Sequence, residues 1–270
     1  MPKPRPAAHD TGRARVLKKA LPMNMERSQL ASGQAQHWSD DPQTYRILYI
    51  GDSITRHGSN PETVARLKWN HIAGMAATSE SRDYAHLLAA MIQQTLPGRK
   101  VDVLFAEKGG NGSVAGRLAS IEAYKPARPK LVVIQLGEHE KQAAGVTALR
   151  ANYDKLVTAL ATPSPPPLVL CTGVWDPYGG RIVNGQPNYE GWAATVDQVM
   201  QEVCQKHGIP FVPVVAAALD PSCRGWGQVA GVQWHPNDKG HQAYAQALFA
   251  AYEKACLPPA APTAPPPSQP

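Results

Sequence analysis

The chain has 270 residues, 43% hydrophobic and 18% charged, which fits one large domain or two small ones and is too apolar for a disordered protein. Apolar runs such as Leu131–Leu136 and Val212–Leu219 fall far short of the ~18 residues a membrane helix needs, so no membrane span is expected. The net charge of +6 is localised: residues 1–25 hold six Lys and Arg against Asp10 alone, leaving +1 over the rest, whereas a nucleic-acid binder spreads basic residues over a folded face.

Residues 1–43 show no sustained period and contain five prolines, and read as a disordered basic arm. No apolar stretch of about 7–15 residues follows the basic start, so no secretory leader is expected and a cytoplasmic location is the default. Residues 44–256 carry the organised pattern, and 257–270 are a Pro-rich tail or linker with seven prolines. Within the organised region, Tyr45–Ile50, Val101–Glu107, Lys130–Leu136, Pro167–Cys171 and Phe211–Val215 are predicted strands. Asp83–Gln94, Ala144–Leu160, Ala193–His207 and Lys239–Ala255 carry helical periodicity between and after them. Strands that are apolar throughout and separated by helices predict a five-stranded parallel sheet covered on both faces, a three-layer α/β/α sandwich. Ligands of such sheets bind at the carboxyl ends of the strands. The four cysteines lack CxxC spacing, which argues against a zinc site or a disulfide framework, and Cys171 reads as a buried free thiol.

At the end of the first strand stands Gly51-Asp52-Ser53-Ile54-Thr55. A Ser there is either an exposed nucleophile on a tight turn or a helix N-cap. Before the last helix, Trp234-His235-Pro236-Asn237-Asp238 places a His that is either a satisfied loop residue or a general base, with Asn237-Asp238 read as the helix cap. Together with a glycine turn, Gly109-Gly110-Asn111-Gly112-Ser113, and the loop Gly137-Glu138-His139-Glu140, these segments resemble the four blocks of the SGNH hydrolases, also called the GDSL esterase/lipase family.

The resemblance implies Ser53 as nucleophile and His235 as general base. It implies the N–H groups of Ser53 and Gly112 as oxyanion-hole donors, and Asp52 as a structural residue of the turn. Two positions depart from the family. His139 stands where the third block has Asn, and is either an imidazole donor to the oxyanion or a loop residue. Val232 stands where the last block has Asp, so His235 needs another orienter: a main-chain carbonyl, Glu138 or Glu140, or Asp220. No cofactor or metal is expected, since Glu138-His139-Glu140 has no second ligand cluster in register.

Substrate signals are the tryptophans. Trp69 lies in the insertion Arg56–Ser81, and Trp175, Trp192, Trp226 and Trp234 lie in or near strand-end loops, where each either stacks on a sugar ring or fills a loop core. Collectively they favour a carbohydrate ester carrying acetyl or another short acyl group. The alternatives are a lysophospholipase- or thioesterase-like hydrolase and a catalytically impaired carbohydrate-binding relative.

Overall fold

A computed structural model describes residues 43–106, 112–124, 127–176, 180–225 and 229–256. The basic arm, the Pro-rich tail, Glu107, Gly109–Asn111 and Trp226 lie outside the described residues.

The first strand, β1 (Tyr45–Ile50), is followed by helices α1 (Pro61–Leu67) and α2 (Tyr84–Thr95). Then come β2 (Val101–Phe105), α3 (Val114–Leu118), β3 (Leu131–Ile134), α4 (Gly145–Ala161) and β4 (Leu168–Thr172). A hairpin of β5 (Arg181–Val183) and β6 (Gln186–Asn188) precedes α5 (Gly191–Lys206) and β7 (Phe211–Val212). The chain ends in α6 (Val215–Ala218), α7 (Ala230–Gln233) and α8 (Asp238–Cys256). The main sheet has the order β2-β1-β3-β4-β7 and is parallel throughout.

Alternation along the strands builds the three layers. Leu48, Ile50, Val132, Ile134, Val169 and Cys171 face α4 and α5, meeting Leu149, Tyr153, Val196 and Met200. Ile47, Tyr49, Leu131, Val133 and Leu170 face the other way, onto Leu88 and Ile92 of α2 and Tyr244 and Leu248 of α8. Burying both faces is what makes these strands apolar at every position. The expected α/β/α sandwich is the fold.

The expected fifth strand is cut to Phe211–Val212, because Pro213 has no N–H to continue the ladder, and Val215 already begins α6. The antiparallel β5–β6 pair was not expected from periodicity. Its turn is Asn184-Gly185, both at positive φ, which is the two-residue signature of a tight hairpin. Among the described residues, no helix is long and apolar enough to cross a membrane.

Candidate active site

The candidate nucleophile turn, Gly51–Thr55, follows directly from β1. Gly51 has no room for a side chain: a Cβ there would sit 1.9 Å from Thr55 Oγ1. Asp52 is fully buried, and its Oδ1 accepts from Ile54 N at 2.9 Å, so the carboxylate pins the turn. Ser53 is left with its hydroxyl at the carboxyl end of the sheet, and its Oγ lies 2.7 Å from His235 Nε2.

His235 arrives from the opposite end of the sequence on a loop that is tied down twice. The Trp234 carbonyl accepts from Trp175 Nε1 at 2.9 Å and from Arg224 Nη1 at 3.3 Å, and Arg224 is itself paired with Asp176 at 2.8 Å. Burial, with help from the nearby His57, His241 and His139, holds the imidazole well below the usual histidine value. A neutral imidazole follows near pH 7, and its Nε2 can accept a hydrogen bond from Ser53 Oγ.

Of the orienters considered for His235, the three carboxylates are engaged elsewhere. Glu138 Oε1 accepts from Trp175 N at 2.7 Å and its Oε2 from Gln135 Nε2 at 3.0 Å. Glu140 Oε1 accepts from Val114 N at 2.7 Å, and Asp220 accepts from Ser222 and Lys239. His235 Nδ1 is buried without a hydrogen-bond partner among the described residues; the carbonyl that faces it and favours its charged form is that of Gly231. Val232 is buried against Trp69, Met75 and Ala77.

His139 stands at the rim, with Nε2 3.7 Å from Asp52 Oδ2. Both atoms are buried and without a hydrogen bond among the described residues. Asp52 and Glu138 lie close enough to interact directly. Burial raises both carboxyls, and burial together with the neighbouring Asp52 pushes Glu138 well above the usual range. Gly112 lies against the nucleophile turn, a Cβ there falling 2.9 Å from Gly51 O and 2.7 Å from Arg117 Nη2. Arg117 Nε donates to Gly51 O at 2.7 Å.

These bonds join all four sequence blocks. Arg117 links the glycine turn to the nucleophile turn, and Glu140 links the third loop to the residue after Ser113. Gln135 Oε1 accepts from Asp52 N at 3.2 Å and from Thr55 Oγ1 at 2.8 Å, and Trp175 joins Glu138 to the loop of His235. Sequence reasoning missed Gln135 and Arg117 as scaffold, whereas loop-core filling was one of the two readings open for Trp175. Only Gln135 carried a signal, as the lone polar residue in an otherwise apolar strand run. Of the expected Asn237-Asp238 cap of α8, Asn237 does the capping, its Oδ1 accepting from Gly240 N at 3.0 Å, while Asp238 accepts from the N–H and hydroxyl of Thr78.

A cavity of about 400 Å³ opens over Ser53 and His235, walled by His57, Met75, Leu67, His139, Gly231 and Trp234 and rimmed by Glu62, Thr63 and Arg66. His57 Nδ1 donates to Gly58 O at 2.7 Å. The tryptophans divide: Trp69 and Trp175 are fully buried and fill loop cores, Trp234 lines this cavity, and Trp192 lines a neighbouring one. Among the described residues, no three His, Cys, Asp or Glu side chains gather as a metal site.

The fold recurs in solved esterases. LAE5, an alpha/beta hydrolase enzyme from the metagenome of Lake Arreo, Spain, superposes with a TM-score of 0.54 at 19% identity, covering 79% of this chain and 96% of its own. A variant of Axe2, an acetyl xylan esterase from Geobacillus stearothermophilus, gives 0.52 at 20% identity over 76% of this chain and 93% of its own. CEX, a two-domain esterase active on acetylated mannans, gives 0.52 at 18% identity over 78% of this chain and 49% of its own. No curated protein matches the sequence. The model of the GDSL-like lipase/acylhydrolase family matches residues 49–243, from inside β1 into α8, and the chain accordingly belongs to that family, as a carboxylic ester hydrolase.

Proposed function

We propose that this enzyme removes acetyl or another short acyl group from a carbohydrate by a Ser-His mechanism. The observation that carries the reading is the 2.7 Å contact between Ser53 Oγ and His235 Nε2 on the floor of a small cavity with mixed polar and apolar walls. Ser53 Oγ attacks the ester carbonyl carbon as its proton passes to Nε2. The resulting oxyanion is held by the N–H groups of Ser53 and Gly112 and by an N–H of His139. The imidazolium returns the proton to the departing sugar hydroxyl as the C–O bond breaks. Water then repeats the sequence on the acyl-serine and releases the acid.

Two features support a short acyl group on a wet substrate. The cavity walls mix Met75 and Leu67 with three imidazoles, an indole and a charged rim, whereas a long acyl chain needs a continuous aliphatic slot. Two solved relatives of this fold act on acetylated xylan and acetylated mannan, which makes acetylated xylo- and manno-oligosaccharides the natural first substrates to try. The test is a series of 4-nitrophenyl esters from acetate to palmitate, alongside those oligosaccharides. Turnover that peaks at acetate, with acetic acid released from the sugars, is expected. A peak at octanoate or palmitate would instead identify a lipid or thioester hydrolase, and turnover of none of them a binding protein.

A further inference from the structure

Proton transfer to His235 creates an imidazolium in a site that is built against it. The family's aspartate position is Val232, Nδ1 has no hydrogen-bond partner among the described residues, and burial disfavours the charge. The titratable groups around it come from three elements: His57 after the nucleophile turn, His139 in the third loop and His241 on α8. All three act against a positive charge, and the Gly231 carbonyl on α7 favours it.

What does lie on the ring is Trp234. The indole and imidazole centroids are 3.7 Å apart with the planes inclined by 32°, so the indole offers its face. A cation over an aromatic face is attracted by the ring quadrupole, most strongly by Trp and when water is excluded. Trp234 is also held in place: its carbonyl is bonded by Trp175 and Arg224, and its ring meets His139 edge-on at 6.5 Å. We propose that Trp234 is a positioning residue that takes over part of the missing carboxylate's work. It keeps the imidazole plane aimed at Ser53 Oγ and stabilises the imidazolium through the face of the indole. This rests on the reading of His235 as the base, but it concerns a property of the ring that can be read without any ester.

The experiment compares the wild-type enzyme with Trp234→Leu and Trp234→Phe. NMR titration of the His235 ring needs no turnover. If the indole stabilises the charged ring, its removal in Trp234→Leu lowers the His235 titration midpoint further, and Phe restores part of it. If Trp234 were mere filler, the change would have the other sign, because Leu admits water, lessens the burial penalty and raises the midpoint. The kinetic counterpart is a fall in kcat on 4-nitrophenyl acetate on the order of 10-fold for Leu and less for Phe, with the acidic limb of the pH profile moving down. A midpoint that stays or rises in Trp234→Leu, or a loss confined to KM with the limb unmoved, overturns the proposal. A wild type that hydrolyses no ester but shows the downward shift leaves this inference standing and removes the functional reading instead.

Discussion

Replacing Glu138 by Gln tests the buried carboxyl pair behind Ser53. Asp52 Oδ2 has no hydrogen-bond donor among the described residues, and burial and the neighbouring Asp52 push Glu138 well above the usual carboxylate range, so a proton on Glu138 shared with Asp52 is the expectation under test. A protonated carboxyl oxygen donates to Asp52 while still accepting the 3.0 Å bond from Gln135 Nε2. An amide nitrogen donates but cannot accept. Gln135 cannot flip to relieve the conflict, because its Oε1 already serves Thr55 Oγ1 and Asp52 N. Glu138→Gln therefore strands one buried N–H and destabilises the fold by about 1–3 kcal/mol near neutral pH. The pH dependence carries the sharper signature. A carboxyl whose folded value is raised contributes stability that is full below its unfolded value, about 4.3, and is lost as pH rises through the raised folded value. The variant has no proton to lose at that position, so the gap between the proteins narrows with rising pH. Urea denaturation at about pH 6 and about pH 9 measures both midpoints. A gap that is independent of pH, or absent at neutral pH, would refute a protonated Glu138.

Other substitutions probe the same machinery. Ser53→Ala should lower turnover by about 10⁶ with an unchanged thermal midpoint; retention of a few per cent of the wild-type rate would place the nucleophile elsewhere. His139→Ala should cost about 10²–10³ in kcat with little change in KM, and His139→Asn should recover part, so near-normal turnover in the Ala variant would reduce His139 to a rim residue. Gly51→Ala forces Thr55 and its bond to Gln135 to move, since the new Cβ meets Thr55 Oγ1 at 1.9 Å; a destabilisation of roughly 2 kcal/mol or more by denaturant titration is expected. The wild-type kcat/KM should lose activity on acidification only below the usual histidine range, because burial holds His235 down; a limb at or above that range would contradict a buried neutral base.

The central sheet was readable because burial on both faces leaves uninterrupted apolar runs, and β1, β3 and β4 lie within a residue or two of where those runs place them. What escaped was whatever buries nothing or buries polar atoms. Helix α1 has no buried residue, so no apolar period marks it, although the Asn60-Pro61 start is a capping signal. The β5–β6 hairpin exposes Ile182 and Val183. In the site, Ser53 and His235 stood out through the block pattern, and their contact is a matter of three-dimensional closure that spacing cannot supply. That Glu138 and Glu140 are committed to main-chain N–H groups, at Trp175 and Val114, is something only coordinates reveal. The tryptophan argument weakened similarly, since Trp69 and Trp175 proved to be core.

The missing aspartate and the insertion after the nucleophile are two aspects of one packing solution. His235 N–H donates to the Val232 carbonyl at 3.1 Å, so the two residues lie one turn apart and share a face, where a carboxylate could have served the imidazole. That face is covered instead by Trp69, Ala73, Met75, Ala76 and Ala77 of the insertion, with Val232 sealed among them. An Asp there would have to be buried against apolar side chains, with a single imidazole N–H to offset its lost hydration. In exchange, the insertion braces the Ser53 turn and ties it to α8. Met75 N–H donates to the Ser53 carbonyl at 2.8 Å, and the Met75 carbonyl accepts from His241 Nε2 at 3.2 Å. His241 Nδ1 accepts from Tyr84 N, which fixes the tautomer that makes the Met75 bond possible. The site thus trades a charge on the base for rigidity around the nucleophile. In such an arrangement, preorganised geometry and the oxyanion donors must supply the larger share of the rate.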